Sequence, residues 1–313
     1  MPHIPRTDID SFPLSLGGNT FGWTSDRDES FAVLDAFVAA GGNVIDSADL
    51  YSVWAEGHSG GESERVLGEW MESRGNRADV VIATKVGALR SRPGLSAENV
   101  EIALAESLER LRTDHVDLYY FHYDDEDVAI ADQVRTAHAL VESGRVRHLA
   151  LSNHSPERTR EFLEVATAEG LTLPVALQPQ YNLVNRNAFE QGYAPLAREY
   201  DLAVFPYFAL ASGFLTGKYR SESDLAGKAR ESMASGYVTT EGLAVVDVVV
   251  RVAEARGVAP ATVALAWLLA KGVTAPIASA RTPEQLPALL AAVDLDLDDD
   301  EVAALDAASA PFA

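Results

Sequence analysis

The amino-acid sequence predicts a (β/α)8 barrel, with an N-terminal strand segment, a long loop between strands 7 and 8 and extra helices near the C-terminus. Three observations predict it: eight short apolar or β-branched runs, a helical pattern between consecutive runs, and a length of 313 residues. That length suits one barrel of about 250 residues with insertions. Strands that alternate with helices pair in parallel through right-handed crossovers. No linker or break in composition divides the chain, so we expect a single domain over residues 1–313.

The predicted strands are short, and polar residues stand at or just after their ends. They are Leu14–Gly17, Asn43–Asp46, Val80–Lys85, Asp117–His122, His148–Ser152, Val175–Gln178, Ala203–Tyr207 and Val273–Ile277. An open dinucleotide-binding sheet would need a Gly-x-Gly-x-x-Gly turn after its first strand. Residues 17–22 read Gly-Gly-Asn-Thr-Phe-Gly instead, so the closed barrel is the better prediction.

Helix boundaries follow from capping residues between these strands. Ser155 is a predicted N-cap and Gly170 a predicted helix end. Asp298 and Glu301 form the capping-box pattern of a final helix. Residues 211–242 are rich in Gly, Ser and charged residues, which predicts a long loop near the barrel mouth.

The composition excludes several classes of function. With 25 Lys and Arg against 47 Asp and Glu, the formal charge is −22, which disfavours a nucleic-acid partner. Cysteine is absent, and the seven histidines include no His-x-His pair, so no metal site is predicted. No apolar run reaches the roughly 18 residues of a membrane span. Residues 1–12 lack the apolar core of a secretory signal, and we therefore expect a cytoplasmic protein with no membrane partner.

Four residues near the strand ends together suggest a proton donor for carbonyl reduction. Lys85 ends a largely apolar strand, where an unpaired ammonium is costly, and Asp46 on the adjacent strand is its expected partner. Tyr51 follows five residues after Asp46, and a neighbouring ammonium would lower the pKa of its phenol. His122, at the next strand end, could orient a carbonyl oxygen. Taken singly, each residue has an ordinary explanation as a cap, a strand-end lysine, a packed tyrosine or a core histidine.

The sequence resembles the aldo-keto reductase superfamily over nearly its whole length, with Asp46, Tyr51, Lys85 and His122 in the positions of that family's catalytic tetrad. The supporting strings are Gly-Gly-Asn-Val-Ile-Asp-Ser-Ala-Asp-Leu-Tyr (41–51), Gly-Glu-Ser-Glu-Arg-Val-Leu-Gly (61–68), Leu-Ser-Asn-His (151–154), Gln-Pro-Gln-Tyr-Asn (178–182) and Gly-Phe-Leu-Thr-Gly-Lys-Tyr (213–219). The resemblance implies NAD(P)H-dependent interconversion of a small aldehyde or ketone and an alcohol. The nicotinamide would supply the hydride and Tyr51 the proton.

The same resemblance implies a set of cofactor contacts, Asp46 among them. They are Ser152, Asn153 and Gln178 at the nicotinamide amide, Tyr207 stacked on its ring, Gly18 and Asn19 at the ribose, and Leu210, Ser212 and Lys218 along the pyrophosphate. Lys228 and Arg230, in the long loop, are further candidates to clamp the cofactor.

The segment after the eighth strand predicts a phosphate site beside Ser279. Thr282 is an expected N-cap, with Gln285 as its capping-box partner, and a helix N-terminus favours anions. Arg281 adds a charged fork suited to a 2′-phosphate, which favours NADP(H) over NAD(H). NAD(H) stays possible, because Ala288 and Leu289 stand where many family members hold the adenine with Glu and Asn.

Another class of function also fits the resemblance. Relatives of this fold serve as channel β-subunits or as cofactor-occupied sensors with little turnover, and the sequence alone does not exclude that role. The complete tetrad favours an enzyme, because a binding module need not keep an acid together with its partners. Family members are commonly monomers, and we expect a monomer or a small homo-oligomer.

Overall fold

The computed structural model describes residues 1–225 and 234–313. In these residues eight strands form one parallel sheet in the order β7-β6-β5-β4-β3-β2-β1-β8. The strands are β1 (Ser15–Gly17), β2 (Val44–Asp46), β3 (Val81–Val86), β4 (Val116–Phe121), β5 (Val146–Ser152), β6 (Ala176–Gln178), β7 (Ala203–Val204) and β8 (Ile277–Ala278). The predicted (β/α)8 fold is confirmed.

Backbone hydrogen bonds join the two ends of this sheet. The amides of Thr274 and Ala275 donate to the carbonyl oxygen of Val204 at 2.9 and 3.2 Å, and the amide of Ile277 donates to that of Pro206 at 2.9 Å. The predicted eighth strand, 273–277, was therefore placed too early. Its first residues bridge to β7, whereas the ladder with β1 begins only at Ile277.

Helices separate the strands as the sequence pattern predicts. They are α1 (Arg27–Ala39), α2 (Glu62–Arg74), α3 (Ala97–Leu111), α4 (Ile130–Glu142), α5 (Pro156–Glu169), α6 (Ala194–Glu199), α7 (Glu222–Leu225), α8 (Thr240–Arg256), α9 (Pro260–Ala270), α10 (Leu286–Leu290) and α11 (Asp299–Ser309). The hydroxyl of Ser155 caps α5, and Gly170 ends it in the left-handed region at φ 65°. Asp298 and Glu301 cap α11 reciprocally, as predicted.

The N-terminal residues pack on the interior of the barrel. The expected strand segment is reduced to one antiparallel bridge between His3 and Asp10. Between them, Ile4 and Ile9 are buried in the cluster formed by inward side chains of the strands, such as Val81. A larger apolar cluster fills the layer between strands and helices.

The segment between β7 and α8 is only partly a loop. Its described residues contain a 3₁₀ helix (Ala211–Thr216), α7 and a second 3₁₀ turn (Ser235–Tyr237), so the expectation of a plain loop over 211–242 was wrong for these parts. Lys228 and Arg230 lie outside the described residues. None of the helices that the structure describes is long and apolar enough to cross a membrane.

Candidate active site

Lys85 joins the polar groups at the floor of the barrel mouth. Its Nζ donates hydrogen bonds to Oδ2 of Asp46 and to the carbonyl oxygen of Ser47, both at 2.7 Å, and to the hydroxyl of Tyr51 at 3.0 Å. The Tyr51 hydroxyl also donates to Oδ2 of Asp46 at 3.2 Å. Asp46 and Lys85 are almost inaccessible, at 2% and 0% exposure, so the expected ion pair is buried.

The path of the chain after β2 explains this convergence. Beyond Asp46 the backbone still runs beside β3. The amide of Ser47 donates to the carbonyl oxygen of Ala83 at 2.8 Å, and the amide of Asp49 donates to the backbone carbonyl oxygen of Lys85 at 3.2 Å. A turn closed by the Tyr51 amide then brings the phenol back over the lysine. The apolar strand thus supplies the buried ammonium, and the loop after β2 supplies the phenol.

The pKa of Tyr51 differs from the sequence-based expectation. Burial and the negative charge of Asp46 raise it well above its usual value, although Lys85 lies in contact. Burial also lowers the pKa of Lys85. The expected lowering of the phenol pKa was therefore wrong, since desolvation and the carboxylate outweigh the ammonium. Tyr51 holds its proton at neutral pH, which is the form that a proton donor requires.

His122 lies beside the phenol at the end of β4. Its ring centre is 6.3 Å from that of Tyr51, with the rings nearly perpendicular. Burial and the charge of Lys85 hold the pKa of His122 well below its usual value, so the imidazole is neutral. A neutral imidazole can still donate one N–H group to a carbonyl oxygen.

A hydrogen-bonded group links the ends of β4, β5 and β6. Asn153, in the left-handed region at φ 51°, donates from Nδ2 to the carbonyl oxygen of His122 at 2.9 Å and to the hydroxyl of Ser152 at 3.0 Å. Its Oδ1 accepts from the hydroxyl of Tyr207 at 2.8 Å. Gln178 donates to Oδ1 of Asp46 at 2.9 Å, so the cluster is connected to the ion pair.

One large cavity opens above these groups. Its volume is about 1330 Å³, more than a single drug-sized ligand occupies. Of the predicted site residues it is lined by Asn19, Asp46, Tyr51, His122, Asn153, Gln178, Tyr207, Leu210, Ser212, Lys218, Ser279, Arg281 and Gln285.

Three predicted site residues do not line this cavity. Lys85 lies beneath Tyr51, and the hydroxyl of Ser152 donates to the carbonyl oxygen of Gln178 at 2.8 Å. Gly18 is packed so closely that an added Cβ would lie 2.8 Å from Oγ of Ser63. These residues position their neighbours and do not themselves face the cavity.

Two cations in the cavity wall have no carboxylate partner among the described residues. Most Lys and Arg side chains of this acidic protein form ion pairs, for example Arg147, Arg158 and Arg256. Among the described cations, those without such a pair are Arg6, Arg90, Arg198, Lys218, Arg251 and Arg281. Of these six described cations, only Lys218 and Arg281 line the cavity, so both are available to an anionic ligand.

The segment after β8 differs in detail from its prediction. Pro283–Gln285 is a single 3₁₀ turn, and the side chain of Thr282 makes no capping hydrogen bond. Oε1 of Gln285 accepts from the amide of Arg281 at 2.9 Å, so the predicted capping box was wrong. The carbonyl oxygen of Arg281 accepts from the hydroxyl of Ser25 at 2.9 Å, which fixes the residue at the cavity edge.

The sequence did not predict a buried acidic group that lies behind Lys85. Glu64 accepts from the hydroxyl of Thr84 at 2.6 Å and from Nε of Arg110 at 2.7 Å. Burial and the charge of Glu64 raise the pKa of Asp49, only 3% exposed, to about 7. The string Gly-Glu-Ser-Glu (61–64) contained Glu64, but nothing in it showed that its partner lies on α3.

The chain matches the Aldo/keto reductase family over residues 13–310. Protein tas of Escherichia coli (strain K12) is 30% identical, over 97% of this chain and 96% of that protein. Norsolorinic acid reductase stcV of Emericella nidulans is 32% identical, over 95% and 78%. The probable voltage-gated potassium channel subunit beta of Oryza sativa subsp. japonica is 31% identical, over 94% and 90%. Because the family match spans nearly the whole sequence, the chain belongs to the aldo/keto reductase family, a family of oxidoreductases.

Proposed function

We propose that this protein is an NADP(H)-dependent oxidoreductase that interconverts aldehydes or ketones and alcohols, with Tyr51 as the general acid and base. The observation that carries the proposal is the contact of the Tyr51 hydroxyl with both Lys85 and Asp46 at the floor of a cavity large enough for two ligands. A phenol in that position can deliver a proton to a substrate oxygen above it.

The cavity wall fits a dinucleotide. Lys218 and Arg281, which form no ion pair with any residue that the structure describes, offer two positive charges to phosphate groups in a protein whose net charge is −22. Asn153, Gln178 and Tyr207 offer amide and aromatic groups near Tyr51 for the nicotinamide end. When bound, the reduced nicotinamide supplies the hydride that carbonyl reduction requires.

The residues around the phenol then divide the remaining tasks. In reduction, the carbonyl oxygen gains negative charge, and Tyr51 transfers its proton to that oxygen. A phenol is a stronger acid than an alcohol in the same surroundings, so the proton moves towards the alkoxide that hydride transfer forms. Lys85 lies 3.0 Å from the phenolate that remains and stabilises its charge. Neutral His122 donates its N–H to the carbonyl and orients it. In alcohol oxidation, the same phenolate accepts the proton.

The preference for NADP(H) rests on Arg281. Its guanidinium has no carboxylate partner among the described residues, and its backbone is anchored by Ser25 and Gln285. An unpaired guanidinium on an anchored backbone suits the doubly charged 2′-phosphate that distinguishes NADP(H) from NAD(H).

A second candidate is a cofactor-occupied regulatory subunit of low turnover. One relative, the rice protein, bears the name of a channel subunit. Titration of the purified chain with NADPH and NADH by nucleotide fluorescence, followed by a panel of aldehydes and ketones with the preferred nucleotide, separates the two. Multiple turnovers with at least one carbonyl are expected. Tight NADPH binding with no turnover across the panel would favour the regulatory role.

A further inference from the structure

Two adjacent residues in the first turn of α2 form hydrogen bonds to the segment after β2 and to β3. The hydroxyl of Ser63 accepts from the hydroxyl of Ser47 at 3.0 Å. The carboxylate of Glu64 accepts from the hydroxyl of Thr84 at 2.6 Å. All four residues are fully buried, and none of them lines the large cavity. Any effect of this group on the reaction must therefore pass through its neighbours.

The two donated hydroxyls belong to the chain neighbours of the buried ion pair. Ser47 directly follows Asp46, and Thr84 directly precedes Lys85. Ser47 also contacts the ammonium itself, because its carbonyl oxygen accepts from Nζ of Lys85 at 2.7 Å. A shift of Ser47 or of Thr84 therefore changes where the ammonium lies relative to its carboxylate and to the hydroxyl of Tyr51.

The hydroxyl of Ser63 is also held by the end of β1. It donates to the carbonyl oxygen of Gly18 at 2.8 Å. The amide of Gly18 in turn donates to the carbonyl oxygen of Asp46 at 2.7 Å. Because one hydroxyl both accepts and donates here, Ser63 fixes Ser47 with respect to the ends of two strands.

Close packing of α2 on α3 brings Glu64 to β3. At Gly68 an added Cβ would lie 2.2 Å from the carbonyl oxygen of Arg110, so only glycine allows this approach. Glu64 lies four positions before Gly68, on the same face of the helix. On that face its carboxylate accepts from Nε of Arg110 at 2.7 Å, so the buried charge is paired.

Stability alone does not explain a buried charge at this place. Well-packed apolar side chains can often replace a buried ion pair at no cost in stability. A carboxylate, by contrast, accepts hydrogen bonds with defined geometry, and Glu64 accepts one from β3 and one from α3. Burial lowers the pKa of Lys85. Asp46 opposes this lowering most, and Asp49 and Glu64 oppose it as well.

We propose that Ser63 and Glu64 are positioning residues for the proton donor. Through Ser47 and Thr84 they keep the ammonium of Lys85 beneath the phenol, where it stabilises the phenolate that proton transfer leaves. The proposal rests on the proposed function, because the phenol would protonate the substrate carbonyl. Loss of either hydrogen bond should slow the reaction without weakening the binding of NADPH.

Deletion of single hydroxyls tests the proposal. Truncation of Glu64 would leave Arg110 buried without a partner and destabilise the fold, whereas Thr84→Val leaves that ion pair in place. Thr84→Val and Ser63→Ala are therefore compared with the wild type. Each should lower kcat for a reactive aldehyde about three- to tenfold, which is the range for one lost hydrogen bond, and change the Kd for NADPH less than twofold.

A double-mutant cycle with Lys85 separates positioning from a general loss of structure. In the Lys85→Met background, Thr84→Val and Ser63→Ala should each change kcat less than twofold, because the group that they position is gone. Ser309→Ala, which removes an equally buried hydroxyl that accepts from Arg186 at 2.6 Å, is the control and should change kcat in neither background. An equal loss in both backgrounds would overturn the proposal, as would an unchanged kcat in the wild-type background.

A signal of the lysine itself distinguishes failure of the proposal from failure of the proposed function. If the proposed function fails, the wild type reduces no aldehyde. The chain has four lysines, so the ¹³Cε signal of Lys85 in lysine-labelled protein is assigned by its loss in Lys85→Met. Ser63→Ala and Thr84→Val should lower the pKa of Lys85 by about 0.3–1 unit, and Ser309→Ala should not. An unshifted pKa in both variants would overturn the proposal, whether or not the protein turns over.

Discussion

The hydroxyl of Tyr51 lies 3.0 Å from Nζ of Lys85, and both atoms contact Oδ2 of Asp46, at 3.2 and 2.7 Å. The phenol thus lies between the buried ammonium and the cavity. Any negative charge left on the phenol after proton transfer would face an ammonium that water cannot reach, and electrostatic stabilisation is strongest where water is excluded.

Substitution of Lys85 by methionine should remove this stabilisation. We expect kcat for carbonyl reduction to fall at least about 100-fold, since general acid catalysis contributes about 10²–10⁴-fold. The free energy of unfolding should also fall by about 3–5 kcal/mol, because Asp46 loses its buried partner. Steady-state kinetics and urea unfolding measure the two effects.

The double variant Asp46→Asn/Lys85→Met separates stability from chemistry. Removing both charges should recover part of the lost stability but none of the activity. Lys271→Met, which breaks a partly exposed pair with Asp306, is the control and should cost less than about 1 kcal/mol. A Lys85→Met protein with unchanged kcat would refute the assigned role.

Arg281→Gln should weaken NADPH binding selectively. Loss of a charge-assisted hydrogen bond to the 2′-phosphate is expected to raise the Kd for NADPH about 10- to 100-fold, with little effect on NADH. Arg251→Gln is the matched control, because Arg251 is exposed, has no ion pair among the described residues and does not line the cavity. Equal losses for the two nucleotides would show that Arg281 does not read the 2′-phosphate.

Asp49 should make the folded chain less stable as the pH rises. Its pKa is about 7 in the folded chain against about 3.9 when unfolded, so between these values the folded chain keeps a proton that the unfolded chain has released. Asp49→Asn mimics the protonated form at every pH. The free energy of unfolding of this variant minus that of the wild type should therefore increase by about 2–3 kcal/mol between pH 5 and pH 8.

Urea unfolding at the two pH values checks the sign of this effect. Asp127→Asn, a change at an exposed residue, should give the same difference from wild type at both pH values. A constant difference for Asp49→Asn as well would mean that Asp49 ionises normally.

His122 should remain neutral across the physiological range. Because its folded pKa lies well below the usual value, we expect no fall in kcat/KM from its protonation between pH 8 and pH 6. The imidazole takes up a proton only when the chain unfolds, so the free energy of unfolding decreases as the pH falls below about 6.5. A pH profile of the wild type beside His122→Gln tests this. An inflection near pH 6.5 that disappears in the variant would contradict it.

The sequence predicted those features whose cause is local. Alternating strands and helices predicted the barrel, and the end of an apolar strand predicted the buried partner of Lys85. The bounds of β8 were missed because Thr274 and Ala275 bond to Val204 of β7 while the ladder with β1 begins only at Ile277, and an apolar run does not reveal which neighbour its residues bond to.

Features that depend on distant contacts could not be read in advance. The pKa of Tyr51 depends on how deeply the phenol is buried, which no spacing reveals. The ion pair of Glu64 with Arg110 joins α2 to α3, and the two residues are 46 positions apart in the sequence. Thr282 and Gln285 have the residue types of a capping box, but the chain turns as a 3₁₀ helix, and the glutamine caps Arg281 instead.

Replacement of Tyr51 by phenylalanine tests the central claim most directly. The variant lacks one hydroxyl group, and the ion pair of Lys85 with Asp46, 2.7 Å apart in the wild type, does not depend on that group. NADPH affinity and kcat for a reactive aldehyde are measured on the same preparation. We predict that kcat falls about 100-fold or more while the Kd for NADPH changes less than twofold. Aldehyde reduction at the wild-type rate would contradict the account.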